Sequence, residues 1–262
     1  MERLPAEFAE PLARVGARLG LFAGRVTWHV DVASTNDVAS RQAEHGAPEG
    51  TVVLANAQSA GRGRLGREWA SPPEAGLYVS AILRPVVGAA ALLTIAAGVA
   101  LAEGIAAATG LRAVVKWPND IYTGGRKLAG ILAEAGVASA GPPHVVLGFG
   151  INILPAALPP SIAARATSIE GELGRPVDRG LLLAECLAAL AARYGELQAG
   201  SRVPVLEAWR ERAAGMLGRQ VEWDAGGSVR RGVADNIDDA GALLVRTPAG
   251  LERIISGEVR WL

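Results

Sequence analysis

The sequence predicts an α+β protein: a mixed β-sheet flanked by helices, followed by a small C-terminal β-barrel. Three observations predict it. Short alternating or β-branched segments recur between residues 25 and 154, long Ala/Leu-rich stretches read as helices, and from Leu217 the texture changes to short strands broken by Gly and Asp turns. The division falls between a large domain over 1–215 and a small unit over 216–262.

Residues 1–25 read as a helix with a polar face. RVTWHVDV (25–32) alternates as a strand, and Ser34-Thr35-Asn36 supplies a helix N-cap before 37–45. GTVVLANAQ (50–58) is a β-branched strand running into the loop 59–76, and LYVSAILRP (77–85) is a strand stopped by Pro85. An Ala-rich helix is expected over 89–109. LRAVVKWPNDIYTGG (111–125) reads as strand, Pro-Asn-Asp turn, short strand and Gly-Gly hairpin turn. RKLAGILAEAGV (126–137) and HVVLGFGINIL (144–154) are strand-like, and 179–199 and 202–217 look helical.

The chain has 262 residues with 26 basic and 26 acidic side chains, a formal net charge of +0. That balance argues against DNA or RNA as the main partner, which usually brings a basic excess. The single cysteine, Cys186, excludes an intramolecular disulfide framework and a Cys-rich zinc site, and suits a reducing cytoplasm. The three histidines lie far apart, without metal-ligand spacing. The N-terminal stretch carries charges throughout, unlike a signal peptide. The most apolar run, 89–108, is interrupted by Glu103 and is rich in Ala and Gly, which favours a buried core helix over a membrane span. Of the 26 basic residues only two, Lys116 and Lys127, are lysines. Both fall in one segment, as if a compact ammonium is needed there and a guanidinium will not substitute.

Three motifs carry chemistry. In GRGRLGREW (61–69) glycines alternate with arginines after a strand, so backbone N–H groups and forked donors can converge on an anion such as phosphate. The segment lacks a Walker A ending, and a solvated basic loop would look the same by spacing alone. KWPND (116–120) followed by RKLAGIL (126–132) sets two polar side chains on a turn and Lys127 on a half-buried strand, where it must find an anionic partner. A hairpin with a surface lysine is the plain alternative. GFGIN (148–152) places Asn152 among apolar neighbours, where it needs partners if buried.

Together, and in this order, Ser34-Thr35-Asn36, Gln58, GRGRLGREW, KWPND, RKLAGIL and GFGIN resemble the biotin–protein ligases, over about residues 30–175 in motif detail. The resemblance implies a catalytic domain of the class II aminoacyl-tRNA synthetase-like, biotinyl-lipoyl ligase kind over 1–215. Over 216–262 it implies an SH3-like barrel. It implies ATP-dependent activation of biotin to biotinyl-5′-AMP, with Mg²⁺, then transfer to a lysine of a biotin carboxyl carrier domain such as that of acetyl-CoA carboxylase. By position, Ser34, Thr35, Asn36 and Gln58 look like contacts to the ureido ring, joined at the biotin site by Arg62, Gly63, Arg64, Lys127 and Gly130. Arg64, Arg67, Trp69, Lys116, Asn119 and Asn152 look like ATP contacts. Lys127 and Arg64 would be catalytic, and Asp120 would help place the magnesium. The chain departs from some members at Ala166, where they carry a Trp, so adenine stacking shifts to Trp69. It also departs from the repressor members: the predicted core begins near residue 25, leaving no room for an N-terminal winged helix, and no DNA binding is expected. An exposed strand beside the site could pair two copies as a homodimer. A lipoate or octanoate transferase shares the implied fold, though the polar residues at 34–36 and 58 suit a ureido ring better than an alkyl chain. A non-catalytic biotin- or nucleotide-sensing regulator, or a nucleic-acid module using the Arg loop, are the alternatives of a different class.

Overall fold

The computed structural model describes residues 2–136 and 143–262. Helix α1 (Ala6–Val15) leads into strand β1 (Val26–Val32), helix α2 (Thr35–Glu44), and strands β2 (Val52–Gln58) and β3 (Gly76–Leu83). Helix α3 (Leu93–Thr109) precedes β4 (Val114–Lys116), β5 (Asp120–Thr123), β6 (Arg126–Gly136) and β7 (His144–Asn152). These seven strands form one sheet in the order β1-β2-β3-β7-β6-β5-β4. The β1–β2 pair is parallel and the other neighbours are antiparallel. A parallel pair needs a crossover, and α2 supplies it, which brings residues 34–36 to the sheet face at the helix start.

Helices α4 (Ile169–Leu173), α5 (Arg179–Gln198) and α6 (Val203–Ala213) follow. Helix α3 is largely apolar, with Glu103 its one charged residue, and packs between the sheet and α5. Glycines permit that approach: a Cβ at Gly104 would sit 2.5 Å from Cys186 Cα, and one at Gly98 would sit 3.0 Å from Val115 Cγ1. The stretch Ala90–Thr109 is long and apolar enough to cross a membrane, yet most of it is buried in this core.

Two sequence expectations are corrected. The N-terminal segment is not one helix: α1 stops at Val15, and a 3-10 stretch Gly16–Phe22 follows, with Gly16 and Gly20 at φ of 55° and 50°. Those left-handed conformations end regular helix. The helix expected over 202–217 stops at Ala213. Met1 and Val137, included in the expected first helix and in the strand over 126–137, lie outside the described residues.

The last strands, β8 (Gln220–Asp224), β9 (Val229–Ile237), β10 (Leu243–Thr247), β11 (Gly250–Ile254) and β12 (Val259–Trp261), form an antiparallel sheet in the order β11-β10-β9-β8-β12. Its buried Val221, Ala234, Leu243 and Val245 belong to the same apolar core as the large sheet. Gly241 sits against the start of α3, and its carbonyl accepts a hydrogen bond of 2.9 Å from Trp117 Nε1.

Candidate functional site

A cavity of about 640 Å³ opens on the sheet face covered by the 61–69 loop, a size that suits a small-molecule ligand. Every site residue singled out in the sequence lines it, Lys127 and Arg64 among them. The strand pattern explains the floor. On β7, Phe149 and Ile151 are buried in the core while Gly148, Gly150 and Asn152 alternate to the cavity side. Gly150 pairs with Gly130 of β6. A Cβ at Gly150 would lie 2.3 Å from Trp69 Nε1, and one at Gly130 would lie 3.0 Å from Trp69 Cζ3. The two glycines therefore let the Trp69 indole lie down on the sheet. Gly148 makes the same allowance for Asn36, whose Oδ1 would be 2.1 Å from an added Cβ.

One end of the cavity is neutral and buried. Ser34, Thr35 and Asn36 are all below 5 % exposed. Ser34 occupies the N-cap position of α2, but its side chain makes no capping bond, contrary to the sequence expectation; its hydroxyl is left to the cavity. Gln58 Oε1 accepts from Thr35 N at 2.9 Å and Thr35 Oγ1 at 3.1 Å, and Gln58 Nε2 donates to Ser71 Oγ at 2.7 Å. Ser80 Oγ, fully buried on β3, lies 2.8 Å from Thr35 Oγ1 and donates to Asn36 Oδ1 at 2.5 Å. Asn36 Nδ2 donates to Glu134 Oε2 at 2.6 Å. Both ends of the Asn36 amide are thus held by protein groups.

The other end is charged. Lys127 Nζ lies 2.7 Å from Asp120 Oδ1 and 5.5 Å from the Trp69 ring centre. Arg64 Nη1 donates to Asn119 Oδ1 at 3.0 Å and Nη2 to Gly257 O at 3.4 Å. Asn119 Nδ2 donates to Ile131 O at 2.6 Å, and Asn152 Nδ2 to Thr167 O at 3.0 Å. Arg67 pairs with Glu258. Lys116 Nζ donates to Tyr122 Oη at 3.2 Å and stands 4.6 Å over that ring. Burial holds the Lys116 ammonium below the usual lysine range, opposed by Asp120, and pushes the Tyr122 phenol up to about 12. The loop is a tight hairpin: Trp69 N donates to Gly61 O at 2.9 Å and Gly63 N to Arg67 O at 2.7 Å. Its tip, Leu65, is exposed at φ 57°.

Arg62 lines the cavity with its guanidinium held by two carboxylates, Asp37 at 2.7 Å and Glu134 at 2.9 Å. The sequence reading missed Ser80, Glu134, Arg165, Gly257 and Glu258. Ser80 and Glu134 had a signal, each being a polar residue in an apolar strand run; Gly257 and Glu258 had none, because only tertiary packing brings the end of the small sheet to this wall. Ala166 lines the cavity beside Lys127, its backbone bridged to that residue.

Residues 23–152 match the model of the biotin/lipoate A/B protein ligase family, and residues 216–260 match that of the biotin protein ligase C terminal domain. The chain is similar to the biotin–[acetyl-CoA-carboxylase] ligase of Paracoccus denitrificans, 38% identical over 215 residues, spanning 79% of this chain and 88% of that protein. It is also similar to the bifunctional ligase/repressor BirA of Bacillus subtilis (strain 168), 33% identical over 259 residues, 97% of this chain and 79% of that protein. Among solved structures, the biotin protein ligase from Aquifex aeolicus in complex with biotin and ATP superposes with a TM-score of 0.78 at 27% identity, covering 91% of this chain and 99% of that one.

Proposed function

The chain belongs to the biotin/lipoate A/B protein ligase family, and from that membership we propose that it is an ATP-dependent biotin–protein ligase. The observation that carries the reading is the cavity itself, which joins a neutral hydrogen-bonding end to an end ringed by Lys127, Arg64, Arg67 and Lys116.

In the first step the biotin carboxylate attacks the α-phosphorus of ATP, giving biotinyl-5′-AMP and pyrophosphate. Both reactants are anions; at about 4 Å and an effective dielectric near 20, two unit charges repel by roughly 4 kcal/mol. Lys127 lies between the two ends, and its ammonium offsets that repulsion as charge builds at the junction. Arg64, fixed by Asn119, donates to the phosphate side. Ser34, Thr35 and Gln58 face the ureido ring with uncharged donors and acceptors, and Gly63 and Gly130 keep side chains out of the path. Trp69 lies flat on Gly130 and Gly150 beside Lys127, offering its indole face to the bound reactants, adenine among them. Asn152 and Asn119 border the nucleotide end. Arg62 acts as a strut between Asp37 and Glu134, closing the ring end. In the second step a carrier lysine amine attacks the mixed anhydride and expels AMP, while the closed loop keeps water out.

Magnesium fits only as a companion of the nucleotide. Asp120 is a single carboxylate already beside Lys127, and among the described residues no group of three metal-ligating side chains gathers. Phosphate oxygens and water would supply the remaining ligands. When bound, the ion offsets triphosphate charge. The acceptor is a biotin carboxyl carrier domain.

Incubation with biotin, ATP and Mg²⁺ should release pyrophosphate and accumulate biotinyl-AMP, and adding a carrier domain should discharge it. Adenylate formed from lipoate in preference to biotin, or none from either, would overturn the reading.

A further inference from the structure

The arginine loop does not stand free over the cavity in this structure. It is tied to the small C-terminal sheet through the turn between β11 and β12. Glu258 pairs with Arg67, and the neighbouring Gly257 carbonyl accepts from Arg64. Arg67, Lys116 and Arg64 together hold the Glu258 carboxyl below the usual range, with the Arg67 hydrogen bond the largest influence. Glu258 is therefore the counter-ion of Arg67, placed beside the Gly257 carbonyl that holds Arg64. The pair is open to solvent: Arg67 is 64% and Glu258 57% exposed at the side chain. Such pairs are weak and exchangeable.

This inference rests on the reading of the cavity as a site for ATP. We propose that Glu258 is an anionic placeholder: it parks Arg67 before nucleotide arrives, and the incoming triphosphate displaces it from the arginine loop. A fixed carboxylate cannot share those cations with a polyphosphate without repulsion, so nucleotide binding carries the cost of the exchange. Glu258 is thus a positioning residue whose removal favours ATP, opposite in sign to a strap that helps the loop close.

The test uses the full chain and Glu258→Gln, with biotin and ATP KM values measured separately at low and high salt. The exposed position leaves the fold alone, which thermal unfolding checks. The ATP KM should fall by about three- to ten-fold at low salt, with the gain shrinking as salt screens the charges. The biotin KM should stay put. Glu258→Asp, which keeps the charge, should behave like the parent. In an Arg67→Ala background the benefit of Glu258→Gln should be smaller, because the two residues share one interaction. An ATP KM that is unchanged or raised in Glu258→Gln overturns the placeholder. Failure of the parent chain to form any adenylate instead overturns the ligase reading, so the two failures are distinguishable.

Discussion

The two ends of the cavity are built on different principles. At the ring end, residues 34–36, Gln58 and Ser80 form a network of neutral side chains in which each amide is already bonded within the protein, with the Glu134 carboxylate as the one charged partner, on Asn36. At the phosphate end, Arg64, Arg67 and Lys116 are held by exposed or half-buried groups that a ligand anion can replace. The difference matches what the proposed function asks each end to recognise. A ureido ring has fixed donors and acceptors, so preorganised neutral partners bind it without desolvating a charge. A polyphosphate arrives with its own counter-ions and departs as pyrophosphate, so contacts there must form and break during the cycle.

Lys127 sits at the seam, and its removal should have the largest effect. Lys127→Ala is expected to slow adenylate formation by about 100- to 1000-fold, as loss of one positioned donor to a developing anion does. Single-turnover release of pyrophosphate measures this, with circular dichroism melting to check the fold. Turnover near that of the parent would remove the seam from the comparison. Ser80→Ala attacks the ring end alone. It leaves the buried Asn36 Oδ1 without its donor, a cost of about 1–3 kcal/mol that, if it falls on the bound state, is about 5- to 150-fold in biotin affinity. Titration calorimetry with biotin reads it, and an equal loss in ATP affinity would mean the two ends are one unit. Ionic strength should separate them most gently. Raising salt from low to about 0.5 M should raise the ATP KM about three-fold or more, because the loop cations are exposed to screening, while the biotin KM moves less. Equal shifts would erase the contrast.

The motif residues at both ends of the cavity were legible in the sequence, and the partners that hold them were not. RVTWHVDV declares its strand by alternation and GTVVLANAQ by its β-branched residues, and the motif glycines mark close approaches that the fold uses for Trp69 and Asn36. The seven-stranded order was not legible, because strand neighbours are set by long-range pairing rather than local pattern. The break at Gly16 was masked by helix-forming residues on both sides. The fate of Arg62 was hidden too: a run of alternating arginines carries no sign that Asp37 and Glu134, distant in sequence, already neutralise one of them. Glu258 lay farther still from any motif, in the small C-terminal unit.

That unit is less detachable than its own sheet and late position suggest. Trp117, inside the KWPND turn, gives its indole proton to Gly241 of the small sheet, and the ring is almost wholly buried. Cutting the chain after α6 would strand that donor in an apolar surrounding and unsettle the turn that orients Asn119 and Asp120. Exchange of the tail between relatives is therefore constrained by this carbonyl as well as by the shared apolar core, and a grafted replacement that lacks an acceptor at this point should disturb the catalytic domain it was meant to leave intact.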